Sequence, residues 1–486
     1  MIKELVKDSA GYLPTAIVPA IVGFISVPIL THIFEPGDYG DYNIVLSTVS
    51  IFSILNAWIS MSVLRFFPTY DLKGEADYFT RNVMSISLIS ILVSSLVFLG
   101  VLFGIRFRRE LGLRSMMYIG VVLLALSSLC KVTGPFLRSK RRVGCYSIFV
   151  SWESIMAMVF GLMFVKFFHF GLEGMLLGTI LAMLTALPFL WMKTFGKMSP
   201  LPLRVSGPLV WEMAKYGLPL VIGSLDAWIL DLSDRYVLKF VRSNLEVGIY
   251  CASYNISQRS ITLIVSLFLM ALTPLILRVW EKEGGEATRK QLNRTMRLFL
   301  MVSIPAVVGL SVLAKPLMGL LTREAYLPGY RVMPLVACGA FFLGLQQIYQ
   351  KGFQFYRKTL PVMMCLIGAA ILNIGLNLLL IPAYGYMAAA ATTFTSYAVL
   401  LVLIVSFSKK YFVWPFPWVS FLKIAVASGI MGALSYYIGN ARSSSVRLNL
   451  VLSVCSGVIV YFASLLVLRE IKIDELRKLC RIHQAS

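Results

Sequence analysis

Apolar stretches about as long as a bilayer is thick recur almost end to end along this chain, and they leave few folds open. A helix needs roughly 20 apolar residues to cross the hydrocarbon, and a window of that length marks about fourteen such stretches. They run over residues 11–33, 42–66, 82–104, 115–137, 145–167, 172–192, 217–239, 247–277, 294–314, 331–350, 360–381, 386–407, 418–438 and 448–468. Of the 486 residues 58% are hydrophobic and 14% charged, against roughly 25% charged in soluble chains. A soluble chain of this length would show polar linkers between domains, and none is visible. The alternating segments of about 10 residues that mark a β-barrel are not visible either. The pattern predicts an all-α, polytopic membrane protein.

A net charge of +22 raises the question of nucleic acid, but no soluble basic domain carries it, and no nucleic-acid partner is expected. Lys and Arg cluster instead in short loops: "RSKRR" (138–142), "TRKQLNR" (288–294), "KKY" (409–411) and the tail "REIKIDELRKLCR" (469–481). The positive-inside rule assigns these to the cytoplasm. An even number of spans then puts both termini there, in a multi-pass protein of the cell (inner) membrane. One loop, "IRFRRELGLR" (105–114), is basic yet falls outside on this topology, where it would snorkel or meet acidic lipid headgroups. The start "MIKELVKDSAGYLP" reads as a charged lead into the first span and not as a cleavable leader. The seven cysteines are scattered and form no C-x-x-C pair, so they read as packing residues. His32, His169 and His483 are isolated, and no metal site or cofactor is expected.

The chain also resembles itself. "EPGDYGDYNI" (35–44) parallels "SNLEVGIYCASYNI" (243–256), with Gly40 and Tyr42 matching Gly248 and Tyr250. Pro14 has its counterpart in Pro219, "GLEGMLLGT" (171–179) in "GYMAAAATT" (385–393), and "GPFLRSK" (134–140) in "GFQFYRK" (352–358), all at offsets of about 205–218. Six spans repeat once and two are appended. Six is even, so the halves share one orientation, a plan common in transporters. The expected divisions are an N-terminal six-helix lobe (1–195), a cytoplasmic linker (196–216), a C-terminal six-helix lobe (217–408), and two added helices with a basic tail (409–486).

Two passages carry a family resemblance. The first is "PILTHIFEPGDYGDYNIVLSTVSIFSILNAWISMSVLRFF" (28–67), where a Pro-acidic-Tyr-Gly-x-Tyr turn leads into a Ser-rich span ending in Arg-Phe. The second is "LSDRYVLKF" (232–240) followed by "EVGIYCASYNIS" (246–257). The chain resembles the polysaccharide (O-antigen-type) flippases of the multidrug/oligosaccharidyl-lipid/polysaccharide exporter superfamily. It departs from their pattern at Trp58, Ile59 and Met61, where small residues are usual. The resemblance implies two six-helix lobes in a V around a polar, often cationic cavity, with two extra C-terminal helices as in some members. It implies a polyprenyl-diphosphate-linked oligosaccharide as the substrate, moved from the inner to the outer leaflet. It also implies membrane lipids, and a polysaccharide polymerase or glycosyltransferases, as partners.

Charges inside the membrane are the candidate site, because each costs roughly 3 kcal/mol or more unless it finds a partner or water. In the seventh span, Asp226, Asp231, Asp234 and Arg235 share one half of the helical wheel, and Leu225, Ile229, Leu232 and Tyr236 the lipid-facing other half. Asp231 and Arg235, at i and i+4, read as a structural pair. Asp226 has no local partner and is the candidate for cavity lining or ion coupling. In the eighth span, Gly248, Asn255, Arg259, Thr262, Ser266 and Thr273 fall on one stripe. Arg259, with Asn255, is the candidate contact for a diphosphate or acidic sugar, since a guanidinium fork matches phosphate oxygens. The alternative for Arg259 is a buried pair with Asp226 or Asp231. Asn43, Ser47, Ser50 and Arg65 share a side of the second span, and Arg65 is either substrate-binding or an inner-face anchor. Lys131 is expected to floor the cavity or to snorkel, and Glu153 to pair with Lys131 or Lys423. Pro14, Pro19, Pro28, Pro274 and Pro305 mark helices as bent gates or as static kinks.

Enzymatic readings fit poorly. A polymerase or ligase calls for a long outer loop, a glycosyltransferase for a carboxylate pair in a large inner loop, and the longest inner loop offers only Glu212. No phosphate-binding glycine loop of an ATP-driven pump is present. Transport is the expectation. The alternatives are a multidrug and toxin extrusion-type cation-coupled antiporter, with Asp226 dominant, and a non-transporting scaffold for a glycan-assembly complex.

Overall fold

The computed structural model describes residues 2–104, 111–196, 205–440 and 445–471, and every regular element among them is helical. In chain order these are α1 (Ile2–Ile33), α2 (Pro36–Ile54), α3 (Ala57–Leu72), α4 (Ala76–Gly104), α5 (Leu111–Ser139), α6 (Val143–Phe167), α7 (Glu173–Phe195), α8 (Gly207–Val241) and α9 (Asn244–Val312). Then come α10 (Ala314–Leu321), a 3-10 segment (Glu324–Arg331), α11 (Met333–Tyr349), α12 (Lys351–Phe355), α13 (Leu360–Tyr384), α14 (Tyr386–Ser408), α15 (Trp418–Gly439) and α16 (Val446–Val467). In hydrocarbon a backbone amide finds partners only within its own segment, so apolar stretches become helices.

Each of the fourteen expected stretches falls on helix. Ten helices are long and apolar enough to cross a membrane by length and composition, and two bent pairs raise that to 12 if each is one span. Those pairs are α2 with α3, bent by 43°, and the 3-10 segment with Met333–Phe355, bent by 54°. Two further spans are hidden by chemistry. At 69 residues and about 1.5 Å per residue, α9 far exceeds one crossing. Its backbone leaves helical geometry at Gly284 (φ 79°, ψ −170°), between the expected spans 247–277 and 294–314. Helix α8 is 35 residues long, but Asp226, Asp231, Asp234, Arg235 and Lys239 make it too charged to stand out by composition.

The breaks do not fall at the marked prolines. Helix α1 runs unbroken through Pro14, Pro19 and Pro28, and α9 through Pro274 and Pro305. Proline deletes one backbone donor but keeps a helical φ, whereas only glycine takes the left-handed geometry of residue 284 at no steric cost.

The described residues form two compact units. One takes in the chain up to Gly248 apart from Val27–His32; the other takes Val27–His32 and the chain from Ile249 on. Helix α8 therefore packs in the first unit. This division follows packing, whereas the expected 196–216 boundary follows the point where the repeat restarts. The first unit's core is aromatic. Phe136 of α5 stacks edge-on to Phe67 of α3 (5.2 Å) and Phe195 of α7 (5.4 Å), with Phe79 of α4 alongside at 6.4 Å. The second unit's core joins α9, α11, α15 and α16 through Phe299, Ala340, Met431 and Tyr461. Most of the basic loop 105–114, residues 197–204 of the linker and the tail from 472 lie outside the described residues.

Phe136 is fully buried where four helices meet. Phe136→Ala is expected to cost about 3–5 kcal/mol, read as a lowered unfolding temperature of the detergent-purified chain. An unchanged temperature would contradict this packing.

Candidate functional site

In the first unit a cavity of about 460 Å³ opens where α2 breaks into α3. Its chemistry follows from helical spacing. Ser128, Lys131 and Arg138 repeat at i, i+3 and i+10 on α5, and Tyr146 and Glu153 at i and i+7 on α6, so each set shares a face. Ser50, Ser53, Asn56 and Ser60 come from the α2–α3 break, and Ser224 from α8. The Lys131 ammonium donates to Ser53 Oγ at 2.9 Å. Arg138 lies 5.3 Å from the Tyr146 ring centre, and its buried Nε makes no hydrogen bond among the described residues. Lys131 and Arg138 thus share the lining with one carboxylate, Glu153, with hydroxyls, the Asn56 amide and apolar side chains such as Ile54, Val132 and Val150.

Asn56 makes the break. Its Nδ2 donates to Ser94 Oγ of α4 (3.1 Å) and Ser128 Oγ of α5 (3.3 Å), and its Oδ1 accepts from Ser90 Oγ (2.6 Å). A side chain that satisfies three hydroxyls on two neighbouring helices fixes the bend without proline or glycine.

Helix α8 is tied to α2 through one short polar step. Trp228 Nε1 donates to the Ser47 carbonyl (3.2 Å), Arg235 Nη1 to Ser47 Oγ (3.4 Å), and the Tyr236 and Thr48 hydroxyls bond at 2.8 Å. Tyr236, expected to face lipid, therefore points into the protein: its ring suits the apolar side of a wheel, but its hydroxyl seeks a partner. Asp226 is 6% exposed, with Oδ2 unbonded. It is not on the cavity wall. Ser224 is, and two residues on, the helix has turned nearly to its other side.

On the face reached by the ends of α1 and α8, the two repeat-equivalent turns meet. Both start helices from capping signals: Pro36 stands at the first position of α2 with Asp38 in its first turn, and Ser243 Oγ accepts the Glu246 N–H at 3.2 Å. Five residues beyond each cap stands a glycine. A Cβ on Gly40 would collide with the Asn244 carbonyl, and one on Gly248 with the Pro36 carbonyl. Beside this crossing, Lys239 Nζ donates to Asp41 Oδ1 (2.7 Å) and Asn244 Oδ1 (2.9 Å), and Asn244 Nδ2 to Asp41 Oδ2 (3.1 Å).

The remaining candidates are dispersed. Arg65 is exposed on α3 and away from the cavity wall. Asn255 is buried and Arg259 half-buried, one turn apart on α9 in the second unit. Asp231 is half-buried. Lys423 lies 3.9 Å from Glu470, which also accepts from Arg297 Nε at 2.6 Å, so of the two partners expected for Glu153 only Lys131 shares its cavity. Sequence reasoning passed over Asn56, Arg138 and the Asp41–Lys239–Asn244 cluster. It also passed over a buried chain in the second unit: Asn377 Nδ2 donates to Asn373 Oδ1 (3.0 Å), Asn373 Nδ2 to Ser396 Oγ (3.3 Å), and the Thr392 hydroxyl to Asn377. The available signal was i, i+4 spacing: Asn373 with Asn377, and Thr392 with Ser396.

A multi-pass helical protein built this way has the fold of the transporters of the multidrug/oligosaccharidyl-lipid/polysaccharide exporter superfamily. The family described as polysaccharide biosynthesis protein matches residues 5–280, more than half of the chain, and the chain belongs to that family. The family described as MatE matches residues 219–379. A probable lipid II flippase MurJ of Haemophilus influenzae is 26% identical over 289 residues, 54% of either chain. The chain spans about half the length of the curated relatives it matches. Among solved structures, a lipid II flippase MurJ in an inward closed conformation superposes with a TM-score of 0.76 at 18% identity, covering 96% of this chain and 99% of that one. An inward-facing multidrug resistance MATE family transporter gives 0.64 at 14% identity, covering 81% and 97%.

The Lys239–Asp41 pair is 10% and 14% exposed. Lys239→Met alone strands a buried carboxylate and is expected to cost about 3–5 kcal/mol. Adding Asp41→Leu is expected to recover a large part of that, a coupling measurable in a double-mutant cycle of unfolding. Additive losses would show that the pair does not act as a unit.

Proposed function

We propose that this protein is a flippase that moves a polyprenyl-diphosphate-linked oligosaccharide from the inner to the outer leaflet of the cell membrane by alternating access. A glycan crossing bare hydrocarbon loses its hydrogen bonds to water. A polar cavity replaces them while the lipid tail stays in the bilayer. The observation that carries this reading is Lys131 and Arg138 lining one cavity with several serine hydroxyls, the Asn56 amide and a single carboxylate, Glu153. A flexible ammonium and a planar guanidinium with free donors suit a diphosphate. Arg259 and Asn255, on α9, are the substrate-binding candidates of the second unit. Arg65 anchors α3 at the inner face. Both termini are cytoplasmic, so the cavity lies toward the inner leaflet and the Gly40–Gly248 crossing closes the outer side.

A second reading, cation-coupled antiport, is favoured by Asp226, a carboxylate 6% exposed with an unbonded oxygen. Proteoliposomes loaded with a labelled lipid-linked oligosaccharide separate the two. Arg138→Ala, Lys131→Ala and Arg259→Ala are each expected to slow translocation by about tenfold or more, and Arg65→Ala by less than about twofold. If those variants flip the glycan at the parent rate while Asp226→Asn abolishes efflux of a cationic drug, the antiporter reading replaces this one.

A further inference from the structure

A second polar cavity of the first unit, about 340 Å³, lies at the opposite end of the helices from the Gly40–Gly248 crossing. It opens where α4 begins and where α5 and α7 end, and Asp77, Thr80, Lys140, Arg142, Lys193 and Thr194 line it. The turn between α5 and α6 builds its basic wall. Arg141 takes a left-handed backbone (φ 55°) and the Arg142 N–H reaches back to the Leu137 carbonyl at 2.8 Å, a tight close to α5. That turn sends Lys140 and Arg142 to the same place. Lys140 Nζ donates to the Thr194 carbonyl (2.8 Å) and Arg142 Nη1 to the Lys193 carbonyl (2.6 Å).

These two bonds also cap α7, where cations are favoured by the helix dipole. Capping uses one donor from each side chain, whereas a lysine has three and an arginine five. Lys193 adds a third cation, 5.7 Å from the Phe189 ring. The positive-inside bias asks only that cations lie on this face; it asks neither for a cavity nor for heads pinned to adjacent carbonyls of one helix end. The cavity also holds an unanswered donor, because Thr194 is 2% exposed and its buried hydroxyl has no hydrogen-bond partner among the described residues. Burial first, and then the neighbouring Arg142 charge, hold the Lys140 ammonium below the ordinary lysine range, with Asp71 and Asp77 opposing. An anion between these groups relieves that burden.

We propose that this cavity binds the phosphate of an anionic membrane phospholipid, held by Lys140, Arg142 and Lys193 with the Thr194 hydroxyl. Phosphate is the shared chemistry. Its source is a lipid, because the cavity sits at the ends of α4, α5 and α7, three helices long and apolar enough to cross a membrane. Even with Asp71 counted beside the lining carboxylate Asp77, the three cations leave one positive charge in excess, so a singly charged headgroup is accommodated. The site is separate from the Lys131–Arg138 cavity and does not depend on the transport reading.

The test uses the full chain, purified and delipidated, with native mass spectrometry and thermal unfolding as readouts. Phosphatidylglycerol is compared with phosphatidylcholine and with inorganic phosphate. The parent chain is expected to hold phosphatidylglycerol more tightly than phosphatidylcholine by roughly tenfold or more, the scale of two near-surface cations. Lys140→Gln with Lys193→Gln is expected to erase that preference. Lys140→Arg, which keeps the charge and the cap, is expected to retain it, and it remains informative if the double variant fails to fold. No preference in the parent, or the same preference in the folded double variant, overturns the site. Loss of the preference in Lys140→Arg also counts against it. Equal stabilisation by inorganic phosphate overturns the lipid as the source.

Discussion

Two helix starts cross so closely that neither tolerates a side chain at its contact point. Gly40 of α2 lies on the Asn244 carbonyl and Gly248 of α9 on the Pro36 carbonyl. Without a hydrophobic force between helices in lipid, close packing and hydrogen bonds hold them together, and small residues allow the approach. The Lys239–Asp41–Asn244 cluster adds a nearly dry ion pair in which Asn244 bonds both charged partners. Beyond this pinned start, span two bends by 43° at Asn56, where three hydroxyl partners hold the bend, and Lys131 and Arg138 line the cavity beside it. The crossing also joins the turns that open corresponding spans of the two repeats, so one contact serves both halves of the sequence.

The helical plan was legible in the residues because lipid leaves the backbone a single way to satisfy itself. All fourteen apolar stretches became helix, including charged α8 and the two spans merged within α9. Break positions were less legible. Proline draws attention in a sequence, but Gly284 and Asn56 make the turns, the first through its backbone freedom and the second through three hydroxyl partners that lie 34 to 72 residues away.

The placement of the candidate residues was legible only helix by helix. A wheel sorts residues by direction on one helix, so it grouped the polar residues of α8 and those of α2. It did not say which helix each face meets. Tyr236 was therefore assigned to lipid although its hydroxyl finds Thr48, and Arg65 was grouped with Ser50 although it lies on α3, beyond the bend. Lys131 and Glu153 were linked because intramembrane charges need company, and they share a cavity. Arg138 was read as one more cation of a basic turn, since nothing in "RSKRR" separates the residue stacked on Tyr146 from those that reach the end of α7.

The proposed function uses these features together: the cationic cavity would receive the glycan, and the glycan would move only when the Gly40–Gly248 crossing parts. Disulfide locking of that crossing tests it most directly. Asp41→Cys and Asn244→Cys, placed together in an otherwise cysteine-free chain, replace side chains that lie 3.1 Å apart. Oxidation of the reconstituted protein is expected to stop translocation of a labelled lipid-linked oligosaccharide, and reduction to restore it. Translocation at the parent rate with the disulfide formed would contradict the account.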